Sequence, residues 1–267
     1  MSDIHFYFDP VCPFAWMTSK WVRLVQAQRD YTVDWRFISL RLLNADVDYD
    51  AHFPPGYEAG HTAGLRLLRV AARARAELGP GAVDTLYAAL GARIFDTWSG
   101  PPDASSTRER RGTRAFLEPV LAGAGLPLGL AEALEDDTLD AVVQAETDEA
   151  LGLTGKDVGT PIIHFQPPGG VAFFGPVISR LPDEEDAGRL WDHVVGLAGF
   201  PGFAELKRSL RETPQLAGLG VDVAEPGTQE DWHAGSRRLK KGGGAVPQAP
   251  AGPEDPPVDA DGPVNPA

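Results

Sequence analysis

The opening forty residues constrain the fold more than any other stretch of the chain. Ile4 to Phe8 is a nearly unbroken apolar and aromatic run, the form of a short strand covered on both faces. Asp9-Pro10 ends it. Pro13 then suits the first turn of a helix, where its missing N–H would have gone unpaired in any case. Phe14, Met17, Trp21 and Leu24 follow at helical spacing, giving one apolar face. From Thr32 to Leu40, Val33, Trp35 and Phe37 alternate with Asp34 and Arg36, which is a strand pattern. Strand, helix, strand in this order predicts a parallel βαβ unit.

Cys12 stands at the first strand–helix junction and is the only cysteine in 267 residues. An intramolecular disulfide is therefore excluded, as is a zinc site built on several thiolates. Backbone N–H groups at a helix N-terminus converge on such a position and the helix dipole favours an anion there. The expectation is a thiol of lowered pKa that reacts as its thiolate. The alternative is an inert core cysteine, since cysteine is among the most often buried residues. The strand–Cys–Pro–helix setting favours the reactive reading.

Beyond the βαβ unit the pattern changes. Residues from about His61 to Gly152 are rich in Ala, Leu, Arg and Glu with helical periods, and Val83, Leu86, Tyr87, Leu90 and Ile94 form one stripe. Breaks at Trp98 to Ser106 and at Gly123 to Pro127 separate helices. Strand signals return at Pro161 to Phe165 and at Val171 to Phe174, joined as a hairpin by Gln166-Pro167-Pro168-Gly169-Gly170. Pro182 and the acidic run Asp183 to Asp186 open a helix whose apolar face is Ala187, Leu190, Trp191, Val194 and Val195. After about Leu216 large apolar residues become scarce and a disordered tail is expected. Its basic knot, Arg237-Arg238-Leu239-Lys240-Lys241, reads as a solvated cluster or a contact for an acidic partner. The resulting division is 1–58 and 156–215 for a split α/β domain, 59–155 for a helical insertion, and 216–267 for the tail.

Charge and composition narrow the function. A formal net charge of −14 opposes binding to nucleic acid or to anionic membranes. No apolar run approaches the roughly 20 residues a bilayer span requires. The first residues show neither a basic nor an apolar leader segment, so a cytoplasmic protein is expected. The six histidines lack metal-ligand spacing, and neither a phosphate loop nor a dinucleotide fingerprint occurs, so no bound metal or cofactor is expected. His164 lies beside the second candidate element, Thr160-Pro161. It reads as an ordinary strand histidine, with a role in tuning the thiolate as the alternative. The oligomeric state has no sequence signal.

The run Phe8-Asp9-Pro10-Val11-Cys12-Pro13-Phe14-Ala15-Trp16 resembles the active-site segment of DsbA-like thioredoxin-fold proteins, and more narrowly that of the mycothiol-dependent nitroreductase family. Ser39-Leu40 with Leu43-Asn44, Gly159-Thr160-Pro161, Phe173-Phe174-Gly175-Pro176 and Phe203-Ala204-Glu205-Leu206-Lys207-Arg208 resemble the same family, over roughly residues 3 to 215. The resemblance implies an α/β thioredoxin-like fold with an inserted all-helical subdomain. It implies Cys12 as nucleophile and Thr160-Pro161 as the cis-proline element facing it. Pro13, Phe14, Trp16, Asn44 and Tyr57 would line the pocket for substrate or thiol. The plain readings beside these are a core anchor for Phe14, a turn residue for Asn44 and a loop residue for Tyr57. Mycothiol or a similar small thiol is implied as co-substrate, and a small molecule or a disulfide as substrate.

One departure matters. The family usually carries a second, resolving cysteine where this chain has Ala15. A mixed disulfide on Cys12 would then have to be resolved by an external low-molecular-weight thiol, a monothiol cycle. Two other readings stay open: a redox-inactive thioredoxin-fold binding protein, and a transferase or isomerase like the kappa-class glutathione transferases, which commonly carry serine at position 12.

Overall fold

The computed structural model describes residues 2–97, 105–224, 227–233 and 236–237. Strand β1 (Ile4–Phe8) runs parallel to β2 (Val33–Phe37) and antiparallel to β3 (Ile162–Phe165), which pairs antiparallel with β4 (Ala172–Phe174). The sheet order is β2-β1-β3-β4. Helix α1 (Pro13–Gln28) makes the crossover between β1 and β2. This is the predicted βαβ unit followed by the predicted hairpin, the plan of a thioredoxin-like α/β fold.

Both faces of the sheet are covered, which is why β1 reads as a continuous apolar run. Phe6, Phe8, Trp35, Phe37 and Ile163 join the larger core. Tyr7 and Ile162 point to the other face, into a smaller cluster with Ile38 and Ala150. A final long helix, α9 (Glu184–Ala198), packs on α1 through the indole N–H of Trp21, which donates to the Ala187 carbonyl at 3.0 Å. The second predicted strand is shorter than its pattern. It ends at Phe37 because the Ser39 hydroxyl turns back to accept from the Leu42 N–H, capping the short helix α2 (Leu40–Leu43).

Between β2 and β3 lie α2, α3 (Tyr49–His52), α4 (Tyr57–Leu78), α5 (Pro80–Gly91) and a π-helical turn (Ala92–Asp96). These are followed by α6 (Ser105–Arg110), α7 (Arg114–Gly123) and α8 (Asp140–Thr154). This helical insertion shares the core of the sheet. Tyr87 of α5 stacks on Phe8 of β1 with ring centroids 3.8 Å apart. Glu146 of α8 accepts from the Phe37 N–H at 2.8 Å and pairs with Arg75 of α4 at 2.7 Å. Gly91 allows a close approach of the insertion to α1, since a Cβ there would meet the Trp16 ring at 2.1 Å.

Among the described residues, the stretch after residue 216 begins with a segment that docks on the insertion. Leu216 is buried, and Gly218 in a 3-10 turn (Ala217–Leu219) lies so near the π-helical turn that a Cβ would meet the Ile94 carbonyl oxygen at 2.5 Å. Strands β5 (Leu210–Glu212), β6 (Gln229–His233) and β7 (Ser236–Arg237) form a second small sheet. Scarcity of large side chains hides this docking, which rests on Leu216 in the main core, Leu219 packed against it and the close seat of Gly218. Residues 238–267, with all of the basic knot but Arg237, and the break at 98–104 lie outside the described residues. Among the described residues no helix is long and apolar enough to cross a membrane.

Candidate active site

Cys12 is the N-cap of α1, in extended backbone conformation. Its sulfur accepts from the Ala15 N–H at 3.4 Å, one of the donors that a helix start leaves unpaired. The same sulfur lies 3.4 Å from the carbonyl oxygen of Thr160, to which the S–H donates. The Thr160-Pro161 peptide bond is cis, as the resemblance implies, and the Thr160 hydroxyl donates to the Tyr7 carbonyl on β1. The two segments, 148 residues apart in sequence, thus meet at the end of the sheet.

The expected lowering of the thiol pKa does not hold. Cys12 is only 7% exposed, and burial pushes its pKa up to about 12. The Ala15 and Phe14 N–H groups pull the other way, and the nearby Asp9 carboxyl adds to the rise. Desolvation outweighs the helix start because a thiolate in an apolar setting loses more hydration than one or two N–H groups restore. The Thr160 carbonyl agrees with this balance, since an oxygen at 3.4 Å suits a neutral S–H and repels a thiolate.

Asp9, read in the sequence only as a strand breaker, is a buried carboxyl one turn from the sulfur. Its oxygens accept from the Val11 N–H at 3.0 Å and the Leu40 N–H at 2.8 Å, and its carbonyl accepts from the Cys12 N–H at 3.0 Å. It therefore pins the loop that carries the thiol to the start of α2. Burial raises its pKa to about 7 against the pull of those two donors. Gly64 of α4 makes room for it, because a Cβ there would meet the Asp9 carboxylate at 2.6 Å.

Cys12 opens on a cavity of about 1780 Å³ between the end of the sheet, the first turns of α4 and the segment after α6. Pro13, Phe14, Asn44, Tyr57 and Thr160 all line it. Asn44 also donates its side-chain amide to the Leu40 carbonyl, so it ends α2 as well as facing the cavity. Tyr57 is the first residue of α4 rather than a loop residue, introduced by Gly56 at φ 80°. Trp16 is not on the cavity wall. Its indole N–H donates to Asp96 and its ring lies on Gly91, which makes it a strut between α1 and the insertion. His164 is also absent from the wall; it sits on the far side of the sheet against His5.

Three wall residues carry no motif and were missed. His61 hydrogen-bonds Tyr49 at 2.9 Å, and burial drops its pKa to about 4, so it is neutral near pH 7. Arg108 lies over the Tyr57 ring at 4.5 Å, and Arg111 lies near the Phe95 ring at 5.8 Å. Only the packing of α6 against α4 brings these cations to the cysteine's cavity.

Residues 11–208 match the family model described as the mycothiol-dependent nitroreductase Rv2466c. The chain belongs to this family. A curated relative, the uncharacterized protein Rv2286c of Mycobacterium tuberculosis, is 32% identical over 209 residues, spanning 78% of this chain and 82% of the relative. Two solved structures are similar at lower level. A putative protein-disulfide isomerase from Pseudomonas syringae has a TM-score of 0.42 and 17% identity, covering 72% of this chain and 92% of its own. A probable DsbA oxidoreductase from Streptomyces coelicolor has a TM-score of 0.46 and 16% identity, covering 80% of this chain and 97% of its own. Family membership makes the chain an oxidoreductase of the thiol-dependent kind. Within that family the position three residues after the cysteine is here Ala15, fully buried.

Proposed function

We propose that the protein is a thiol-dependent reductase that works through Cys12 alone, with a low-molecular-weight thiol, mycothiol by family, as co-substrate. The observation that carries this reading is the sulfur itself, held between the Ala15 N–H and the Thr160 carbonyl while facing a cavity large enough for both reactants. In the first step the Cys12 sulfur attacks one sulfur of a disulfide, a Cys12–S–S–R bond forms, and the departing sulfur takes up the thiol proton as R–SH. In the second, an external thiol attacks the mixed disulfide, Cys12 leaves and is reprotonated, and the small thiol is oxidised to the disulfide. No electron is left over, and the second cysteine that Ala15 replaces is not required.

The raised thiol pKa and Ala15 support a second reading, a family member that binds a ligand without redox turnover. Intact-mass measurement separates the two. On incubation with oxidised mycothiol or oxidised glutathione, the enzyme reading expects an adduct on Cys12 that a second thiol removes, and none on a Cys12→Ser variant. Complete inertness of the native protein would leave only the binding reading. The lack of a membrane-crossing helix among the described residues accords with action on small thiols in an aqueous compartment.

A further inference from the structure

Arg111 is a half-buried cation on the wall of the Cys12 cavity. Among the described residues no carboxylate pairs with its guanidinium and no carbonyl accepts from it, although most arginines of the chain reach one or the other. Its guanidinium lies 5.8 Å from the Phe95 ring, and a second cation, Arg108, is close enough to act on its charge. Burial and that like charge lower its pKa to about 10, which still leaves it charged near neutrality. Such a placement leaves a guanidinium fork available to an anion that enters the cavity.

The residue is also fixed in place. Gly112, next in the chain, lies against α4 so tightly that a Cβ would meet the Ala63 backbone at 3.0 Å, and its carbonyl accepts from Arg66 at 3.4 Å. Arg108 is held by the Pro55 carbonyl at 3.2 Å and by the Tyr57 ring. Both side chains line the cavity onto which Cys12 opens. The acidic residues on that wall are Asp157, Glu205 and Glu212, and two of these have cations of their own: Glu212 has Arg180 and Glu205 has Lys207.

We propose that Arg111, with Arg108 beside it, anchors a carboxylate on the small molecule presented to Cys12, so that the cavity selects anionic reactants in a protein of overall negative charge. The inference rests on the cavity being the reactant site, and it names the class of reactant. A carboxylate fits the guanidinium fork and would supply the two charge-assisted hydrogen bonds it lacks. Mycothiol carries no carboxylate, so with that thiol the carboxylate belongs to the molecule that is reduced; a carboxylate-bearing thiol in its place is the other source, and the test separates the two.

Binding is measured by calorimetry on the full-length chain carrying Cys12→Ser, so that no covalent chemistry contributes. One arm compares 4-nitrobenzoate with the neutral 4-nitrobenzamide. The other compares S-methylglutathione with its dimethyl ester. The carboxylate form should bind about tenfold tighter in at least one arm, and that arm names the source. Arg111→Gln should abolish the preference while Arg114→Gln, on an exposed helix position, keeps it. In the Cys12→Ser protein with Arg111 intact, 1 M salt should shrink the preference, a readout that does not depend on the Arg111 variant folding. Equal binding of acid and neutral forms in both arms, no binding in either, or equal loss of both forms in Arg111→Gln would overturn the proposal. Each of those results can occur with a normal adduct on native Cys12, so the inference can fail while the reading of Cys12 stands.

Discussion

The two walls of the Cys12 cavity respond to burial in opposite ways. At the end of the sheet, Cys12 on the wall and Asp9 buried beneath it are acids, and withdrawal from water raises both pKa values, to about 12 and about 7. Each can relieve the cost by keeping its proton. On the helical wall, Arg111 is a base whose pKa burial lowers only to about 10, so it cannot become neutral at ordinary pH. The same desolvation thus leaves one wall uncharged in mildly acidic solution and the other permanently cationic. On the proposed reading, a nucleophile that rests neutral in a cavity holding a standing positive charge is arranged to react with something that arrives negative.

The first way to break this contrast is to titrate the thiol. With its pKa near 12, alkylation of native Cys12 by iodoacetamide should rise about tenfold per pH unit, about 1000-fold from pH 7 to pH 10. A plateau below pH 9 would mean that the helix start, not burial, controls the sulfur.

Asp9 gives the next largest effect. Its folded pKa, about 7, lies above the ordinary value of 3.8, so the folded state binds the proton more tightly than the unfolded chain. The stabilisation is complete below about pH 3.8 and is lost as pH rises through 7. Native protein should therefore lose on the order of 4 kcal/mol relative to Asp9→Asn across that window, measured by denaturant unfolding at successive pH values. Parallel curves for the two proteins would remove Asp9 from the account.

The join between the walls should also give way on cue. Glu146 is almost fully buried and bridges the Phe37 N–H of the sheet to Arg75 of α4. Glu146→Ala leaves both partners without it and should cost about 3 kcal/mol in chemical denaturation. Gly91→Ala drives a methyl into the Trp16 ring and should cost about 2 kcal/mol, accompanied by a change in near-UV circular dichroism from the displaced indole. An Ala variant as stable as the native protein would show that α5 can slide off α1 without penalty.

Much of the framework was readable in the chain. The strand at Ile4 to Phe8, the helix from Pro13, the hairpin around Gln166 to Gly170 and the helix after the acidic run all follow from periodicity and punctuation, which act over a few residues. Cys12 and Thr160-Pro161 stand out in the chain as candidates in the same way, helped by the family resemblance. That Trp16 lies off the cavity wall is not legible in the chain, because only the tertiary seat of its ring on Gly91 places it. The docking of Leu216 to Leu219 is not legible in the chain because it depends on a glycine seated against a distant turn.

The order of strands and helices, the absence of a resolving thiol and the place of the one cysteine at a helix start were determined by the sequence alone. Tertiary structure decided the protonation of that cysteine, the character of Asp9 and the arrival of Arg108 and Arg111 at the same cavity. The reason is that helix and strand patterns are written in neighbours along the chain. Desolvation and charge pairing are set by whatever packs around a group, and here those groups come from segments that no local pattern links.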